Sequence, residues 1–462
     1  MIVSPLIGLL VVRYLGSEIY GQYASATAVT AFFGFLCDFG VQQTVLKFGS
    51  SQPRLGPVLK LGGLVSLIYT LIAVAVVLVW INLFEYDTLV RKLVLFQCAG
   101  FVRTPLLSLV TAGLQLQGQY GRIAFWNFLA SATQWIATLL AMLAQWEVTA
   151  LTAVPVAVSL LAAFAMVTVE GRRLGVFSEP GLHSDVRAFV GETCKFGTAG
   201  AMYQVYYRAD AAILSATAPS VEVGYYSIGA RLTELLNAIP GIMFNQVLFP
   251  KYFRWSKLDR EKLLLYYRSL TKMMVVLGLN MGLFLGFLGP DLVRLVFGMD
   301  SPLFRAMLAG LGVGVFFHFW AASPGAVLTT DGYVTAKIRI QATTAGMSLL
   351  LNALLVPGYG SMAASLVFAL SNFLLAVRYT CEVSKRVRSF SAIRSELLSM
   401  LAAYCVMAVT LQGVLVQQNL LVKGLFWSMA TGCGLIMLWF RWFEPEERHE
   451  LVRLASKRKT VR

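Results

Sequence analysis

Residues 61–84 read LGGLVSLIYTLIAVAVVLVWINLF, an apolar segment that contains no charged side chain. A helix needs about 20 predominantly apolar residues to cross the hydrocarbon core of a bilayer, whereas a barrel strand needs about half that length. The length of the segment therefore favours a helix. Because lipid offers the backbone no hydrogen-bond partner, we predict that it is a transmembrane α-helix.

Apolar stretches recur along the whole chain and predict an all-α polytopic membrane protein. Fourteen spans are predicted, with twelve as the alternative count. They lie near residues 1–15, 20–42, 60–84, 91–115, 123–145, 149–169, 194–217, 224–249, 269–290, 302–327, 334–356, 359–378, 397–417 and 420–442. The first span is short and begins at Met1, which indicates either a start further upstream or a tolerated truncation of this helix.

The composition agrees with a membrane protein. Of the 462 residues 58% are apolar and 13% are charged, and the charged fraction is about half that of an average soluble protein. The formal net charge is +15, but the cations occur in short clusters between apolar runs, without a nucleic-acid-binding motif. We therefore expect membrane lipids, and no nucleic acid, as partners. The six cysteines include no CxxC pair, so no metal site is predicted.

The connections between the spans differ in charge, and this difference predicts the orientation of the chain. Cytoplasmic loops of membrane proteins carry the excess of Lys and Arg, so both termini are predicted to be cytoplasmic. Exceptions occur on the opposite side, at Arg91, Lys92, Arg294, Arg305 and Lys423. The segment Lys251–Arg268 mixes aromatic and basic residues and is predicted to be a helix in the cytoplasmic interface. The cation-rich connections contain Lys47, Arg54, Arg122, Arg172, Arg173, Arg187, Lys337, Arg339, Lys385 and the tail from Arg453 onward.

Two pairs of short segments indicate an internal duplication. Ser17–Tyr23 and Ser220–Tyr226 share Ser, Gly and Tyr in register, and each segment opens a span on the predicted non-cytoplasmic side. Gly118–Tyr120 and Asp331–Tyr333 form a second pair on the cytoplasmic side. Six spans separate the members of each pair, so the two copies share one membrane orientation. This predicts two six-helix lobes related by pseudo-twofold symmetry along the membrane normal, with a cavity between them.

The predicted domain boundaries follow from the spans and the basic connections. Residues 1–170 form an N-terminal six-helix lobe, and residues 171–192 form a cytoplasmic linker. Residues 193–380 form the C-terminal six-helix lobe. Two extra transmembrane helices occupy residues 381–442, and residues 443–462 are a basic cytoplasmic tail.

Ionisable side chains within the predicted spans are costly in lipid, so they usually face a cavity or a partner. At a rise of 1.5 Å per residue, Asp210 and Arg231 lie at roughly matching depths in adjacent antiparallel spans. We expect Asp210 to pair with Arg231 and to leave Arg208 free to point into the cavity. A static interhelical salt bridge without a transport role is the alternative. The full set is Asp38, Arg103, Arg208, Asp210, Arg231, Glu234 and His318, of which His318 is expected to be a hydrogen-bonded core residue.

Several short motifs carry a family resemblance that extends over nearly the whole chain. They are Pro5, Arg13–Tyr23, Asp38–Gly40, Arg208–Asp210, Val223–Tyr225, Gly332, Asn352 and Pro357–Gly360. With these motifs the sequence resembles the Wzx-type polysaccharide flippases of the multidrug/oligosaccharidyl-lipid/polysaccharide exporter superfamily. The abbreviated N-terminus departs from the usual pattern of the family.

The resemblance implies a multi-pass protein of the inner (cytoplasmic) membrane that is a transporter and not an enzyme. Its cargo would be a polyprenyl-pyrophosphate-linked oligosaccharide, such as an O-antigen, capsule or exopolysaccharide repeat unit, translocated by alternating access. A polysaccharide polymerase complex is a candidate partner. No cofactor is expected, although coupling to H⁺ or Na⁺ stays open.

The resemblance also suggests roles for the charged residues within the spans. A pyrophosphate requires permanently charged donors, which arginine supplies. The candidate substrate-binding residues are therefore Arg13, Arg103, Arg208 and Arg231. The candidate ion-coupling or gating carboxylates are Asp38, Asp210 and Glu234.

Two alternatives belong to the same superfamily. One is a cation-coupled multidrug exporter, but such exporters usually have twelve spans and acidic cavities, whereas the ionisable residues here are at least as basic as acidic. The other is a peptidoglycan-precursor flippase, which also has fourteen spans. A membrane-embedded glycosyltransferase would need a large loop outside the bilayer, and the predicted connections are short.

Overall fold

The computed structural model describes residues 3–50, 52, 54–176, 185–248, 252, 255, 260–298, 301–329, 334–387 and 420–448. Of these residues 92% are helical, and no strand occurs among them. The predicted all-α class of a polytopic membrane protein is therefore confirmed.

The helices follow the apolar runs of the sequence and end at the polar connections between them. The first seven are α1 Val3–Phe33, α2 Val41–Gly49, α3 Gly56–Leu83, α4 Thr88–Ala99, α5 Arg103–Leu116, α6 Tyr120–Leu143 and α7 Val148–Arg173. They are followed by α8 Val186–Thr217, α9 Ser220–Ile242, α10 Arg260–Leu283, α11 Gly289–Phe297, α12 Pro302–Val327, α13 Val334–Val387 and α14 Leu420–Met437. Short 3₁₀ or π turns extend or join some of these helices, at Gly34–Cys37, Gly100–Val102, Met243–Leu248, Phe284–Leu288 and Leu438–Trp442.

Two glycines break long helices at predicted span boundaries. Gly16 in α1 has φ 73° and ψ 171°, and Gly360 in α13 has φ 56° and ψ −140°. A side chain with a Cβ rarely adopts such positive φ values, so only glycine allows these breaks at little cost. The break at Gly16 lies between two predicted spans and the break at Gly360 lies at the start of another, so α1 and α13 each contain parts of two predicted spans.

The number of spans stays a prediction. Eight helices among the described residues are long and apolar enough to cross a membrane, and some of them contain more than one predicted span. The predicted span near 397–417, much of the predicted interfacial helix near 251–268, the segment Asp331–Tyr333 and the basic tail beyond residue 448 lie outside the described residues.

The chain divides into two compact units. Unit 1 comprises Met1–Ser227 and Asn352–Ser361, and unit 2 comprises Ile228–Leu351 and Met362–Arg462. Helix α8 belongs to unit 1 because it packs along α1 and α2. This division differs from the predicted lobes, whose boundaries stay a prediction.

Unit 1 has two buried apolar cores. One joins α1, α3 and α4 through residues such as Val29, Val77 and Leu93. The other joins α2, α3, α5 and α7 and includes Leu61 and Met166. These side chains are removed from both water and lipid, so they hold the helices of this unit in a fixed arrangement.

Unit 2 is built on a close contact between α10 and α12. A Cβ on Gly282 would lie 2.5 Å from the carbonyl oxygen of Gly312, and a Cβ on Gly312 would lie at the same distance from the oxygen of Gly282. Small residues of this kind let helix backbones approach each other in membranes. Helix α14 is joined to α10 by polar contacts, because Trp427 Nε1 and Thr431 Oγ1 both donate to Asn280.

The first pair of echoed segments meets inside unit 1. A Cβ on Gly224 would lie 3.1 Å from Gly21 Cα, and a Cβ on Gly21 would lie 2.0 Å from the carbonyl oxygen of Ser220. The two glycines that match in the sequence therefore pack against each other. Contact between equivalent residues is what a local twofold relation produces.

Candidate functional site

The buried carboxylate of Asp210 is bonded within unit 1. Asp210 lies on α8 and is 9% exposed. It accepts a short hydrogen bond from the hydroxyl of Tyr226 and one of 2.7 Å from the backbone N–H of Ala211. Tyr226 lies on α9 and is also buried, so these contacts join the two helices near their connection. The predicted pairing of Asp210 with Arg231 stays a prediction.

The guanidinium of Arg208 has a different environment from that of its neighbour Asp210. Arg208 lies on α8 and is partly buried, and no described residue accepts a hydrogen bond from it. Asp210 already has two donors, Tyr226 and Ala211. Arg208 therefore forms no hydrogen bond with the described residues, although its charge interacts with the carboxylate of Asp210.

Asp38 lies in a break between the first 3₁₀ turn and α2. Its Oδ1 atom is buried and has no hydrogen-bond partner among the described residues. Phe39 and Gly40 that follow have φ values of 24° and 80°. A Cβ on Gly40 would lie 2.5 Å from the backbone nitrogen of Gly197 on α8. Position 40 in the Asp38–Gly40 motif therefore requires glycine for two reasons, the positive φ of its backbone and its close approach to α8.

The other two candidate arginines of unit 1, Arg13 and Arg103, have no carboxylate partner among the described residues. Arg103 begins α5 and donates from Nη1 to Oε1 of Gln134 on α6, at 3.2 Å. Arg13 lies on α1, three residues before the Gly16 break, and is exposed. No ion pair forms between Arg13, Arg103 or Arg208 and any other described residue.

Two predicted site residues belong to unit 2. Arg231 and Glu234 both lie on α9, where Arg231 is partly buried and Glu234 is exposed. Farther along this unit, His318 Nδ1 lies 3.3 Å from Oδ1 of Asn372, as expected for a hydrogen-bonded histidine. The roles assigned to Arg231 and Glu234 stay predictions.

The structure also contains a polar cluster between α1 and α4 that is not among the site residues predicted from the sequence. Thr30 Oγ1 donates to Oε1 of Gln97 at 2.6 Å, and Gln97 Nε2 donates to Thr27 Oγ1 at 3.2 Å. Uncharged polar side chains within an apolar run give a weak signal in sequence. The i, i+3 spacing of Thr27 and Thr30 on one helix face would have been the clue.

An ion triad ties α2 to the start of α8, before the predicted span at 194–217. Lys47 Nζ lies 2.6 Å from Glu192 Oε2, and Lys195 Nζ lies 2.8 Å from Glu192 Oε1. The hydrogen bonds from Lys195 and Lys47 hold the pKa of the Glu192 carboxyl below its usual range. Glu192 is therefore ionised at neutral pH and keeps these two helices together at the predicted cytoplasmic side.

Two buried carboxylates of unit 1 have hydrogen-bond donors: Asp210 accepts from Tyr226 and Ala211, and Glu170 accepts from Arg122 and Trp126. Arg13, Arg103 and Arg208 form no ion pair with the described residues. Ionisable residues within transmembrane helices usually mark the path of a substrate or an ion, and the role of these arginines stays a prediction. The fold is that of a polytopic helical membrane protein.

Solved structures share this fold. A lipid II flippase MurJ in an inward closed conformation superposes with a TM-score of 0.72 at 14% identity, covering 94% of this chain and 97% of the MurJ chain. An inward-facing multidrug resistance MATE family transporter of the MOP superfamily superposes with a TM-score of 0.59 at 11% identity, covering 84% of this chain and 95% of the transporter. At such low identity the likeness concerns the fold.

The family follows from the sequence itself. A family model described as polysaccharide biosynthesis protein matches residues 10–300, more than half of the chain. The protein belongs to this family, and the predicted membership of the exporter superfamily is confirmed. A comparison with curated protein sequences finds no match.

Proposed function

We propose that the protein is a flippase that translocates a polyprenyl-pyrophosphate-linked oligosaccharide across the cytoplasmic membrane by alternating access. The observation that carries the proposal is the family, whose members serve polysaccharide biosynthesis, on a fold shared with a lipid II flippase and a multidrug transporter. The cargo would be a repeat unit of an O-antigen, a capsule or an exopolysaccharide. A polysaccharide polymerase complex would take the product on the far side.

The pyrophosphate is the part of the cargo that the arginines would bind. A guanidinium donates parallel hydrogen bonds to phosphate oxygens and keeps its charge at any physiological pH. Arg13, Arg103, Arg208 and Arg231 are the proposed ligands. Arg208 supports this role most directly, because it forms no ion pair with the described residues and the carboxylate of its neighbour Asp210 is hydrogen-bonded to Tyr226 and Ala211.

Asp38, Asp210 and Glu234 are the proposed coupling or gating carboxylates. The Oδ1 atom of Asp38 is buried and lacks a partner among the described residues. A buried carboxylate oxygen without a donor is costly, and binding a proton or a sodium ion would lower that cost. Protonation of Asp210 would turn one oxygen of its carboxylate into a donor and so change its bond with Tyr226.

The test is a leaflet-exchange assay with the full-length protein in proteoliposomes. A fluorescent glycan on a polyprenyl pyrophosphate is incorporated, and a membrane-impermeant quencher reports how fast the label reaches the outer leaflet. The variants are Arg13→Gln, Arg103→Gln, Arg208→Gln and Arg231→Gln. Loss of one charge-assisted contact should slow exchange roughly tenfold, since such bonds are worth about 1.5–3 kcal/mol. Arg187→Gln is the control, because Arg187 is an exposed cation at the start of α8.

The same liposomes separate the proposal from its rivals. Exchange of the glycan lipid, without export of a lipophilic cationic drug and without preference for a peptidoglycan precursor, supports the proposal. Normal exchange in all four arginine variants would refute the binding role. A faster turnover of either rival cargo would assign the protein to that activity.

A further inference from the structure

A polar cavity of about 500 Å³ lies in unit 1 where α2, α5 and α7 end. Its lining includes Ser50, Gln52, Gln117, Arg172 and Arg173. The connections after α2 and α7 belong to the cation-rich set that is predicted to be cytoplasmic. By that orientation the cavity lies at the cytoplasmic surface of the bilayer, and its lining includes none of the arginines proposed to bind the cargo.

Close packing fixes the walls of this cavity. A Cβ on Gly49 would lie 2.4 Å from Cδ1 of Leu116, and a Cβ on Gly113 would lie 2.7 Å from Cδ1 of Leu174. The two leucines line the cavity and hold the ends of α2, α5 and α7 together. A cavity whose walls are fixed in this way is preformed and need not be ordered by its ligand.

The charges around the cavity are unbalanced. The buried carboxylate of Glu170 receives Arg122 Nη1 at 3.0 Å and Trp126 Nε1 at 2.9 Å. Arg173 Nη1 lies farther from the same carboxylate, at 4.0 Å, and Arg172 has no ion-pair partner among the described residues. Of the two arginines that line the cavity, Arg173 therefore shares the Glu170 carboxylate with Arg122, and Arg172 has no carboxylate partner among the described residues, so the lining carries an excess of positive charge.

We propose that this cavity binds the phosphate headgroup of an anionic phospholipid of the cytoplasmic leaflet. The cytoplasmic leaflet is where negatively charged lipids accumulate near basic juxtamembrane residues. Arg172 and Arg173 supply planar donors that match phosphate oxygens, and the side chains of Ser50, Gln52 and Gln117 supply neutral polar groups around them. The lipid would act as a resident ligand, independent of the glycan that the protein carries.

The test measures lipid binding by the purified full-length protein in detergent. Native mass spectrometry counts bound dihexanoyl phosphatidylglycerol, and the thermal unfolding midpoint is followed as that lipid is added. Phosphatidylcholine of the same chain length tests the headgroup charge, and inorganic phosphate tests whether the lipid part is needed. The variant is Arg172→Gln/Arg173→Gln. The matched control, Arg187→Gln/Lys385→Gln, removes two exposed cations of predicted cytoplasmic connections that do not line the cavity.

The proposal predicts that phosphatidylglycerol binds and raises the unfolding midpoint, and that the double variant weakens its binding about tenfold or more. The charge-matched control should bind as the wild type does. A second variant, Ser50→Trp, keeps both arginines but fills the cavity, and it should also lose the lipid even if the arginine variant folds poorly.

Three results would overturn the proposal. Equal binding of phosphatidylcholine would remove the role of the headgroup charge. An equal response to inorganic phosphate would replace the lipid by a soluble anion. Unchanged phosphatidylglycerol binding in Arg172→Gln/Arg173→Gln and in Ser50→Trp would show that the lipid does not bind in the cavity and that these arginines have only a structural role at the end of α7.

Discussion

A buried ion pair near the C-terminal end of the described chain gives the sharpest stability prediction. Lys272 on α10 lies 3.0 Å from Oε2 of Glu447, and the two side chains are 2% and 0% exposed. The same ammonium donates to the carbonyl oxygen of Trp442 at 2.9 Å, and the N–H of Glu444 donates to Glu447 Oε2. The residues after the last π turn are thereby attached to α10. We consider the replacement Lys272→Met.

This replacement should lower the free energy of unfolding by about 3–5 kcal/mol, because it leaves an uncompensated charge buried. Part of that loss is the Trp442 carbonyl, which would have no ammonium donor. Glu447→Leu should cost a similar amount, because it leaves the ammonium of Lys272 without its counter-charge. The double variant Lys272→Met/Glu447→Leu should be close to the wild type, since apolar residues can replace a buried pair at little cost.

The free energy of unfolding of the wild type and the three variants is measured by equilibrium unfolding in mixed micelles, with helicity as the signal. Because two single losses of about 3–5 kcal/mol nearly vanish in the double variant, the coupling energy from this double-mutant cycle is expected to be about 6–10 kcal/mol. Lys47→Met is the control, because Lys47 also pairs with a glutamate but its side chain is 52% exposed. If Lys272→Met is no more harmful than Lys47→Met, or if the losses in the double variant simply add, the reasoning fails.

Other predictions concern unit 1. Gly21→Ala should lower the free energy of unfolding by about 1–3 kcal/mol, because its Cβ would lie 2.0 Å from the carbonyl oxygen of Ser220. Gly121→Ala is the control and should have little effect, because no atom lies within 4 Å of its Cβ; equal effects of the two variants would contradict the contact at Gly21. Tyr226→Phe should cost about 1.5–3 kcal/mol by removing a donor from the buried carboxylate of Asp210, and a neutral result in the same assay would argue against that bond. The pKa of Glu192 is lowered by its two lysines, so its stabilisation is present at neutral pH and lost as the pH falls through that lowered pKa. Unfolding midpoints between neutral and acidic pH should therefore fall less in Glu192→Gln than in the wild type, and identical profiles would rule this out.

The helical class and most span positions follow from the sequence because they depend on local composition. All but the last residue of the run 61–84 falls within α3, and the predicted boundary between the first two spans coincides with the break at Gly16. Because lipid offers the backbone no hydrogen-bond partner, a long apolar run must form a helix, so each transmembrane helix can be predicted from its own segment alone. The break itself needs glycine, which the sequence also displays.

The partners of buried polar groups were harder to predict. Tyr226 lies six residues into α9 and Asp210 seven residues before the end of α8, so the two residues are at matching depths in neighbouring helices. A tyrosine hydroxyl in an apolar run gives a weaker signal than a charged side chain, so the sequence does not indicate this bond. The pairing of Asp210 with Arg231 stays a prediction.

Contacts between distant parts of the chain have no local signature. Lys272 and Glu447 are 175 residues apart, and neither stands in a motif. The same holds for Gly282 and Gly312, whose backbones touch, although a glycine in an apolar helix is itself a weak indication of close packing. Only the fold shows which glycine faces which helix.

The buried charges of this protein fall into two groups that differ in how they are neutralised. Lys272 has Glu447, and Glu170 has Arg122, so these residues are satisfied by the fold. Arg103 and Arg208 are partly buried and form no ion pair with the described residues. An arginine at the centre of a transmembrane helix costs about 2.5–3.5 kcal/mol on insertion scales, so two would cost about 5–7 kcal/mol, comparable to the whole stability of a small domain. Under the proposed function this cost has a purpose, because each passage of a pyrophosphate-linked cargo would supply negative charge beside these arginines.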